Sequence, residues 1–273
     1  MNFADKLNSA IKKNNSLLCV GLDPDFDKLP EFIKSKTNPQ FEFNKAIIDS
    51  THDLVCIYKP NPAFYESLGD GGVRELKMTC DYIRETYPEI PVLVDAKRGD
   101  IGNTNNGYVQ YAFDYLQADA MTVMPYLGIE SLDPYFERSE KGIVVGCHSS
   151  NPGAKEFQEL DINGKQLYEI VAEELVKKHG DNPNCMIFMG ATFPEQLTNI
   201  RKIIGDMTIL APGVGAQGAT VEMFVKSGMN SQKAGLIINA SRSIIFASAG
   251  EDFTEKAREE AIKLRDEINK FRV

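Results

Sequence analysis

The sequence predicts an α/β protein, a single (β/α)8 TIM barrel over residues 1–273, on three observations. Short apolar runs of strand length occur eight times along the chain. Segments with helical periodicity lie between these runs, and no linker or low-complexity stretch divides them. A doubly wound open sheet is the alternative, but the count of eight and the chain length favour the barrel.

Each of the eight runs predicts one strand. Most of the runs are apolar throughout, without an alternation of apolar and polar residues, and this pattern is typical of parallel strands buried on both faces. In chain order they span residues 17–22, 54–59, 91–96, 120–125, 142–147, 185–190, 207–212 and 235–240.

The helices are predicted from apolar stripes between the strands. A single stripe at helical spacing indicates a helix that covers one face of a sheet. The clearest stripes lie in residues 73–87, 108–115, 167–175 and 253–271. The longest irregular stretch, about residues 149–164, is a candidate lid over the top face of the barrel.

Composition and charge exclude several classes of function. The net charge of −9 argues against a sequence-independent grip on nucleic acid, although local donors can still hold a small anion. The N-terminal segment lacks the apolar core of a signal peptide, and no apolar run approaches the ~18 residues of a membrane span. We therefore predict a cytoplasmic protein with no membrane partner. The five cysteines form no CxxC pair and are predicted to be buried free thiols.

A barrel places its chemistry at the C-terminal ends of the strands, where this sequence carries many polar residues. Asp95 and Lys97 are two residues apart, so their side chains face the same way on a strand. Lys59 ends the neighbouring strand, and Asp100 follows on the loop. Acids and lysines that alternate in space can all stay ionised, because each charge offsets its neighbours.

A lone D-x-K pattern is more often a structural ion-pair network or a solvated loop than an active site. Its position at a strand end, with Lys59 on the next strand, favours a functional cluster here. Arg98, between the two acids, is predicted to be solvated.

A glycine-rich loop follows the seventh run, and its glycines match G-x-G-x-x-G. The next strand ends without the acid that a dinucleotide site requires, so a phosphate loop is the better interpretation. Its backbone N–H groups would bind an anion, with Gln217 and Arg242 as side-chain donors. The loop glycines are Gly213, Gly215 and Gly218.

Metal and nucleophile chemistry have weaker support. The three histidines show no ligand spacing, so no metal site is predicted. His148 lies at the end of the fifth run and is the histidine expected nearest the site. Ser149 and Ser150 have no evident triad partners and are interpreted as hydrogen-bond donors to a ligand or as a cap for the next turn.

The stretch VDAKRGDIGNT (residues 94–104) resembles the D-x-K-x-x-D-I signature of the orotidine 5′-monophosphate decarboxylases. The resemblance spans essentially the whole chain, and the SNPG segment is typical of the longer branch of that family. The other matching segments are GLDPD, KPNPAFYE, SSNPGA, APGVGAQG and SRSII. Related metal-dependent barrel enzymes that act on sugar phosphates share D-x-K-x-x-D but carry an acid at the position of Lys59.

The resemblance implies decarboxylation of orotidine 5′-monophosphate (OMP) to uridine 5′-monophosphate (UMP), the last step of de novo UMP synthesis, without metal or cofactor. It makes Lys97 the proton donor to C6 of the pyrimidine and places Asp95 beside the departing carboxylate. It further implies a homodimer in which Asp100 and Thr104 reach the active site of the other subunit.

The remaining roles come from the same resemblance. Lys59 holds the charge array and reaches the ribose, and Asp23 and Asn61 lie near the ribose and the charges. Either Ser149 or, preferably, Ser150 contacts the base edge. The phosphate is bound by Gln217, Arg242 and the loop glycines.

One feature departs from the family pattern: Ser241 and Ser243 flank Arg242, where many members have glycine. Two alternatives stay open at this point. One is a metal-dependent sugar-phosphate decarboxylase or epimerase of the same barrel superfamily, and the other is a catalytically silent nucleotide-binding protein. Lys59 argues against the first, and the intact charged set argues against the second.

Overall fold

The computed structural model describes residues 1–190, 194–212 and 221–272. Its main feature is a parallel sheet of eight strands. These strands are β1 (Leu18–Leu22), β2 (Ile57–Pro60), β3 (Leu93–Arg98), β4 (Ala120–Val123), β5 (Gly142–His148), β6 (Cys185–Met189), β7 (Thr208–Pro212) and β8 (Leu236–Ala240).

The strands follow one another around a barrel. Hydrogen bonds join them in the order β2-β1-β8-β7-β6-β5-β4-β3. The two ends of this order meet at a parallel bridge between Tyr58 and Val92, where Tyr58 N donates to Pro91 O at 3.1 Å. The predicted (β/α)8 TIM barrel is confirmed, and the open sheet is excluded.

All eight predicted runs contain a strand, with ends that differ by up to three residues. The largest difference is in β2, which begins at Ile57, three residues after the start of its run; β3 extends two residues beyond its run, to Arg98. Strand β3 continues into the charged stretch because Arg98 pairs with Val123 after a register shift that begins at Val94. Lys97 is thereby part of the barrel wall.

Helices cover the outside of the barrel. The longer ones span Phe3–Asn14, Pro39–Thr51, Gly69–Thr86, Gly102–Val109, Leu167–His179, Pro194–Ile204, Val221–Gly228 and Phe253–Lys270. Short ones span Glu31–Lys34, Ala63–Glu66, Asp133–Phe136, Ala154–Phe157 and Arg242–Ile245. A π-helix, Gln110–Tyr115, and two 3-10 turns, Phe26–Lys28 and Glu130–Leu132, complete the set in the described residues.

The N-terminal helix lies against the residues that precede two of the strands. Phe3 N donates to Glu140 O before β5, and Ala4 N donates to the side chain of Asn184 before β6. Because strands enter the barrel there, this helix packs at the end opposite to the candidate site. No helix in the described residues is long and apolar enough to cross a membrane.

The barrel core is apolar and buried. Every residue of β1, β2, β4, β5, β6 and β8 is buried, as predicted from the continuous apolar runs. All five cysteines are buried and free, which confirms their predicted state. Burial raises the pKa of the thiols of Cys19, Cys80 and Cys185 to about 12, so these groups stay protonated.

The stretch predicted as irregular, about residues 149–164, contains two small elements. The helix Ala154–Phe157 is followed by an antiparallel pair of two-residue strands, Asp161–Ile162 and Lys165–Gln166. The helix Leu167–His179 begins directly after this pair. The segment therefore leaves the end of β5, turns back in a small hairpin and rejoins the barrel.

Candidate active site

Three charged side chains meet at the C-terminal ends of β2 and β3. Lys59 Nζ donates to Asp95 Oδ2 at 2.9 Å, and Lys97 Nζ donates to Asp95 Oδ1 at 2.7 Å. Each carboxylate oxygen of Asp95 therefore has its own ammonium partner. The predicted clustering of these three residues is what the structure shows.

Burial differs sharply within this cluster. The side chains of Lys59 and Asp95 are 4% and 11% exposed, whereas that of Lys97 is 47% exposed. Lys59 is thus enclosed by the barrel, and Lys97 reaches the open mouth. The Lys97 ammonium also lies 5.6 Å from the centre of the Phe188 ring, which comes from β6. Of the two lysines, Lys97 is the one that a ligand in the mouth can touch.

The charges of the cluster support one another. Burial alone would raise the pKa of Asp95, but the neighbouring Lys59 and Lys97 ammonium groups hold it well below its usual range. Burial would lower the pKa of Lys59, but the charges of Asp95 and Asp23 outweigh this effect and raise it. Asp95 and Lys59 are therefore both ionised across the physiological range.

Thr122, on β4, is a member of the cluster that sequence reasoning missed. Its hydroxyl donates to Asp95 Oδ1 at 2.9 Å, and the same Oγ1 accepts from Lys97 N at 2.9 Å. The available signal was a single polar residue in the apolar run AMTVMP. It comes directly after Met121, which pairs with Val94 across β3 and β4.

Thr122 also stabilises an unusual backbone. Lys97 has φ 47°, in the left-handed region, which costs a residue with a side chain about 1–3 kcal/mol. The hydrogen bond from its backbone N–H to Thr122 helps to hold this conformation. Such strain is common at functional sites, because it gives a side chain a direction that a regular β-strand does not allow.

Asp23 follows β1 and lies within electrostatic range of Lys59, whose pKa it helps to raise. Its Oδ1 atom is buried and has no hydrogen-bond partner within the described residues. A buried carboxylate oxygen without a partner is costly, so this atom is available to a ligand hydroxyl. The Asn61 side-chain oxygen, in contrast, already has a partner, because it accepts a hydrogen bond from Ala63 N at 3.0 Å.

Asp100 lies on the loop after β3, and its hydrogen bonds are formed within that loop and with the helix that follows. Its Oδ1 accepts from Ile101 N at 2.7 Å, and its own N–H donates to Asn105. Within the described residues no hydrogen bond or ion pair joins it to Lys59, Asp95 or Lys97. Thr104, one turn later, is exposed.

The loop after β3 is held firmly against the neighbouring β4 loop. A side chain at Gly99 would place its Cβ 2.4 Å from Met124 O, so only glycine allows this approach. The Asn105 amide then donates to Ser131 O at 2.7 Å. Asp100 therefore stands on a loop that is fixed at the protein surface, and Thr104 lies in the first turn of the helix that follows it.

The two serines after β5 have different surroundings. The Ser149 hydroxyl donates to Asn151 Oδ1 at 2.6 Å and accepts from the Gln158 amide at 3.0 Å. Ser150 has no side-chain hydrogen bond within the described residues. Its backbone N lies so close to Gly190 that a Cβ on that glycine would be 2.4 Å away. Ser150 is the serine whose hydroxyl is available to a ligand.

The predicted phosphate site is described only in part. Arg242 is exposed at the start of the short helix that follows β8. The preceding residue, Ser241, donates to Gly21 O at 3.1 Å and so ties this turn to β1. The other predicted members, Gly213, Gly215, Gln217 and Gly218, lie outside the described residues.

The prediction that Arg98 is solvated is wrong. Its guanidinium pairs with Glu66 and lies 5.3 Å from the centre of the Tyr108 ring. The side chain is 28% exposed. The β3 strand continues one residue further than the apolar run, and this places Arg98 on the outer face of the barrel wall against the helix layer.

Comparison with known proteins now identifies the family. The family model described as Orotidine 5′-phosphate decarboxylase / HUMPS family matches residues 16–258. The chain belongs to this family. Orotidine 5′-phosphate decarboxylase of Cellvibrio japonicus is 47% identical over 98% of both chains, and that of Ralstonia pickettii is 44% identical over 100% of both.

Solved structures agree with the family assignment. The Leishmania donovani OMP decarboxylase superimposes with a TM-score of 0.87 at 35% identity, covering 100% of this chain and 99% of that one. The Leishmania donovani UMP synthase gives a TM-score of 0.89 at 36% identity, but this chain covers only 57% of it. The resemblance inferred from the D-x-K-x-x-D-I signature is confirmed.

The donor set of the site differs from that of a metal centre. Among residues 1–190, 194–212 and 221–272, no three His, Cys, Asp or Glu side chains are grouped as metal ligands would be. At the ends of β2 and β3, two ammonium groups, of Lys59 and Lys97, pair with the one carboxylate of Asp95. This arrangement suits proton transfer and charge stabilisation.

Proposed function

We propose that the protein converts OMP to UMP, the last step of de novo UMP synthesis, and that Lys97 delivers the proton. The observation that carries this proposal is the ion-paired set Lys59, Asp95 and Lys97 at the barrel mouth of a chain in the orotidine 5′-phosphate decarboxylase family. The buried free thiols fit a reducing compartment, and we place the enzyme in the cytoplasm.

The reaction requires stabilisation of one carbanion. When the bond between C6 and the carboxylate carbon breaks, its electron pair stays on C6 and carbon dioxide leaves. The Lys97 ammonium stabilises this charge and then donates its proton to C6, which leaves a neutral amine. The amine regains a proton from water, to which its half-exposed side chain has access.

Asp95 and Lys59 prepare the site for this step. Because its pKa is held low, Asp95 is ionised beside the bound substrate carboxylate, and this repulsion raises the free energy of the ground state. Buried Lys59 and Thr122 fix the position of Asp95 by hydrogen bonds to its two oxygens. Lys97 is then placed to protonate C6. Because Lys97 itself is the acid, the step needs no metal or cofactor.

Substrate binding is distributed around the barrel mouth. We assign Asp23, with its unpartnered buried oxygen, and Asn61 to the ribose side. Ser150 is assigned to the base edge, since the hydroxyl of Ser149 is already held by Asn151 and Gln158.

The phosphate lies far from the reacting carbon. Gln217, Arg242 and the loop of Gly213, Gly215 and Gly218 are assigned to it, with Arg242 as a bidentate donor. The binding energy of this remote group can drive closure and assembly of the site.

We further infer a homodimer in which Asp100 and Thr104 act in the site of the partner subunit. Among the residues that the structure describes, Asp100 forms no hydrogen bond or ion pair with its own cluster, and it stands on a loop at the protein surface. Large apolar side chains lie beside it: Ile101, Tyr126 and Leu127 are 61%, 83% and 48% exposed. An exposed apolar surface of this kind is typical of a subunit interface, and here it adjoins Asp100, the second acid of the D-x-K-x-x-D-I signature.

One absorbance assay tests the proposed function. Purified protein treated with EDTA is mixed with OMP, and the ultraviolet absorbance of the pyrimidine is followed. We expect the substrate signal to decay at the same rate with and without EDTA. No decay at micromolar enzyme would contradict the proposal, and decay that EDTA abolishes would favour the metal-dependent sugar-phosphate branch.

A further inference from the structure

Asp23 lies between two backbone carbonyls that are both held by side chains from elsewhere in the fold. The Tyr65 hydroxyl donates to Leu22 O at 3.0 Å, and Gln40 Nε2 donates to Pro24 O at 2.9 Å. Tyr65 and Gln40 are themselves fully buried. The segment that carries Asp23 is therefore anchored immediately before and immediately after this residue.

We propose that Tyr65 and Gln40 are positioning residues, which fix the backbone around Asp23 so that its carboxylate is held ready for a sugar hydroxyl of the nucleotide. The proposal rests on the proposed function, because it deepens the assignment of Asp23 to the ribose side of that same site. Since both residues are fully buried, they act through the carbonyls that they hold and not by contact with the substrate.

The chain between the two anchored carbonyls has little freedom of its own. The ring of Pro24 fixes the φ angle of that residue, and its Cδ atom disfavours helical backbone at Asp23. The Asp23 carbonyl also accepts from Asp25 N at 2.9 Å, which closes a tight turn over Pro24. Few backbone torsions therefore remain by which Asp23 could move.

The side chain of Asp23, in contrast, forms no hydrogen bond within the described residues, and its Oδ1 atom is buried. Its charge acts on the buried Lys59 ammonium, whose pKa it helps to raise, so the carboxylate lies next to the charged cluster. A carboxylate with a fixed backbone and an unpartnered acceptor atom binds a hydroxyl without first losing conformational freedom. Asp23 is thus preorganised for a ligand.

A second set of groups holds Tyr65 in place. Asn44 Nδ2 donates to Tyr65 Oη at 2.7 Å, which leaves the tyrosine proton for Leu22 O. Burial raises the pKa of Tyr65 well above its usual range, so the hydroxyl remains a donor. The backbone is fixed as well, since a Cβ on Gly72 would lie 2.0 Å from Tyr65 O and only glycine allows this approach.

Gln40 joins the segment after β1 to the loop after β2. Its Nε2 atom donates a second hydrogen bond, to Phe64 O at 2.8 Å. Phe64 belongs to the short helix Ala63–Glu66, whose first N–H donates to the side chain of Asn61. The two residues assigned to the ribose, Asp23 and Asn61, therefore stand on loops that one amide connects.

The two buried amides carry an energetic penalty. Gln40 Oε1 and Asn44 Oδ1 are buried and have no hydrogen-bond partner in the part of the chain that the structure describes. Apolar side chains of the same shape would avoid this penalty, but they would supply no donors. Buried donors that are all engaged specify one arrangement of the chain, and here that arrangement includes the backbone of Asp23.

Tyr65→Phe removes one hydroxyl and leaves the ring in place. Leu22 O then loses this donor, and we expect kcat/KM for OMP to fall about tenfold and the Kd for UMP to rise about tenfold, with a smaller change in kcat. Steady-state kinetics and calorimetry measure these values.

Gln40→Met tests the carbonyl on the other side of Asp23. It removes the donor to Pro24 O but also the unpartnered Oε1, so part of its cost to stability is offset. We expect a similar fall of about tenfold in kcat/KM.

A double-mutant cycle with Asp23→Ala gives the decisive measurement. If Tyr65 and Gln40 act through Asp23, they have nothing to position once its carboxylate is absent. We expect Tyr65→Phe and Gln40→Met each to change kcat/KM for OMP less than twofold in the Asp23→Ala background, against about tenfold in the wild type.

Tyr58→Phe is the matched control. Tyr58 is also fully buried, and its hydroxyl also donates to a backbone carbonyl, Ile48 O at 3.1 Å, on the helix Pro39–Thr51. The loss of this bond should lower the unfolding temperature about as much as Tyr65→Phe does. Its kcat/KM for OMP and its Kd for UMP should stay within twofold of the wild type.

Three results would overturn the proposal: an unchanged kcat/KM in both Tyr65→Phe and Gln40→Met, an equal loss from them with and without the Asp23 carboxylate, or an equal loss from Tyr58→Phe. A wild-type protein that does not turn over OMP would instead contradict the proposed function. The Kd for UMP distinguishes these cases, since it tests the two anchors without turnover.

Discussion

Replacing Lys97 by alanine is expected to abolish measurable turnover, with a fall in kcat of at least about 10⁴-fold. The variant loses both the charge that stabilises the C6 carbanion and the proton that completes the reaction. The fold should persist, because Lys59 and Thr122 still bond Asp95. Steady-state kinetics with OMP measure the loss, and calorimetry with UMP checks that the site still binds its product.

Arg242→Ala is the contrasting variant for this test. Because Arg242 is assigned to the phosphate, we expect its loss to weaken UMP binding and raise KM by roughly 10–100-fold. Its effect on kcat should be much smaller than that of Lys97→Ala. Equal losses of kcat in the two variants, with unchanged affinity for UMP, would contradict this division of roles.

Mixed dimers are expected to recover activity from two inactive variants. Asp100→Ala and Lys97→Ala are each expected to be inactive as homodimers. In a heterodimer, the site that contains the intact Lys97 receives the intact Asp100 from the other subunit, and the second site lacks both. Random assortment of equal amounts should restore about a quarter of the wild-type sites.

Co-expression with two different tags provides the measurement, because the doubly tagged species contains only heterodimers. Its activity per subunit should be about half that of the wild type, since one of its two sites is intact. Activity that stays at the level of the parent variants would show that Asp100 does not act across the interface. A wild-type dimer carrying the same two tags is the control.

Much of the barrel could be predicted because its signal is repeated. Eight continuous apolar runs require burial on both faces, and a closed parallel sheet covered by helices supplies that burial. The ends of the strands were less predictable. Strand β3 continues through Lys97 to Arg98 because Arg98 pairs with β4. A strand end that is set by backbone pairing cannot be predicted from the hydrophobicity of the sequence. That one domain accounts for residues 1–273 stays a prediction.

The charged centre could also be predicted, because a period of two places Asp95 and Lys97 on one face. Thr122 was missed since threonine is common in strands, and its role depends on the register between β3 and β4. Glu159, between the helix Ala154–Phe157 and the strand Asp161–Ile162, contacts His148, and no local pattern of residues indicates this contact. The assigned substrate contacts stay predictions.

Conversion of OMP in D2O tests directly whether C6 is protonated where carbon dioxide leaves. If Lys97 protonates the carbon that loses carbon dioxide, its exchangeable ammonium supplies deuterium. We expect UMP with one deuterium at C6 and one carbon dioxide released per substrate, and no UMP from Lys97→Ala. UMP without deuterium at C6, or full turnover by Lys97→Ala, would contradict this role of Lys97.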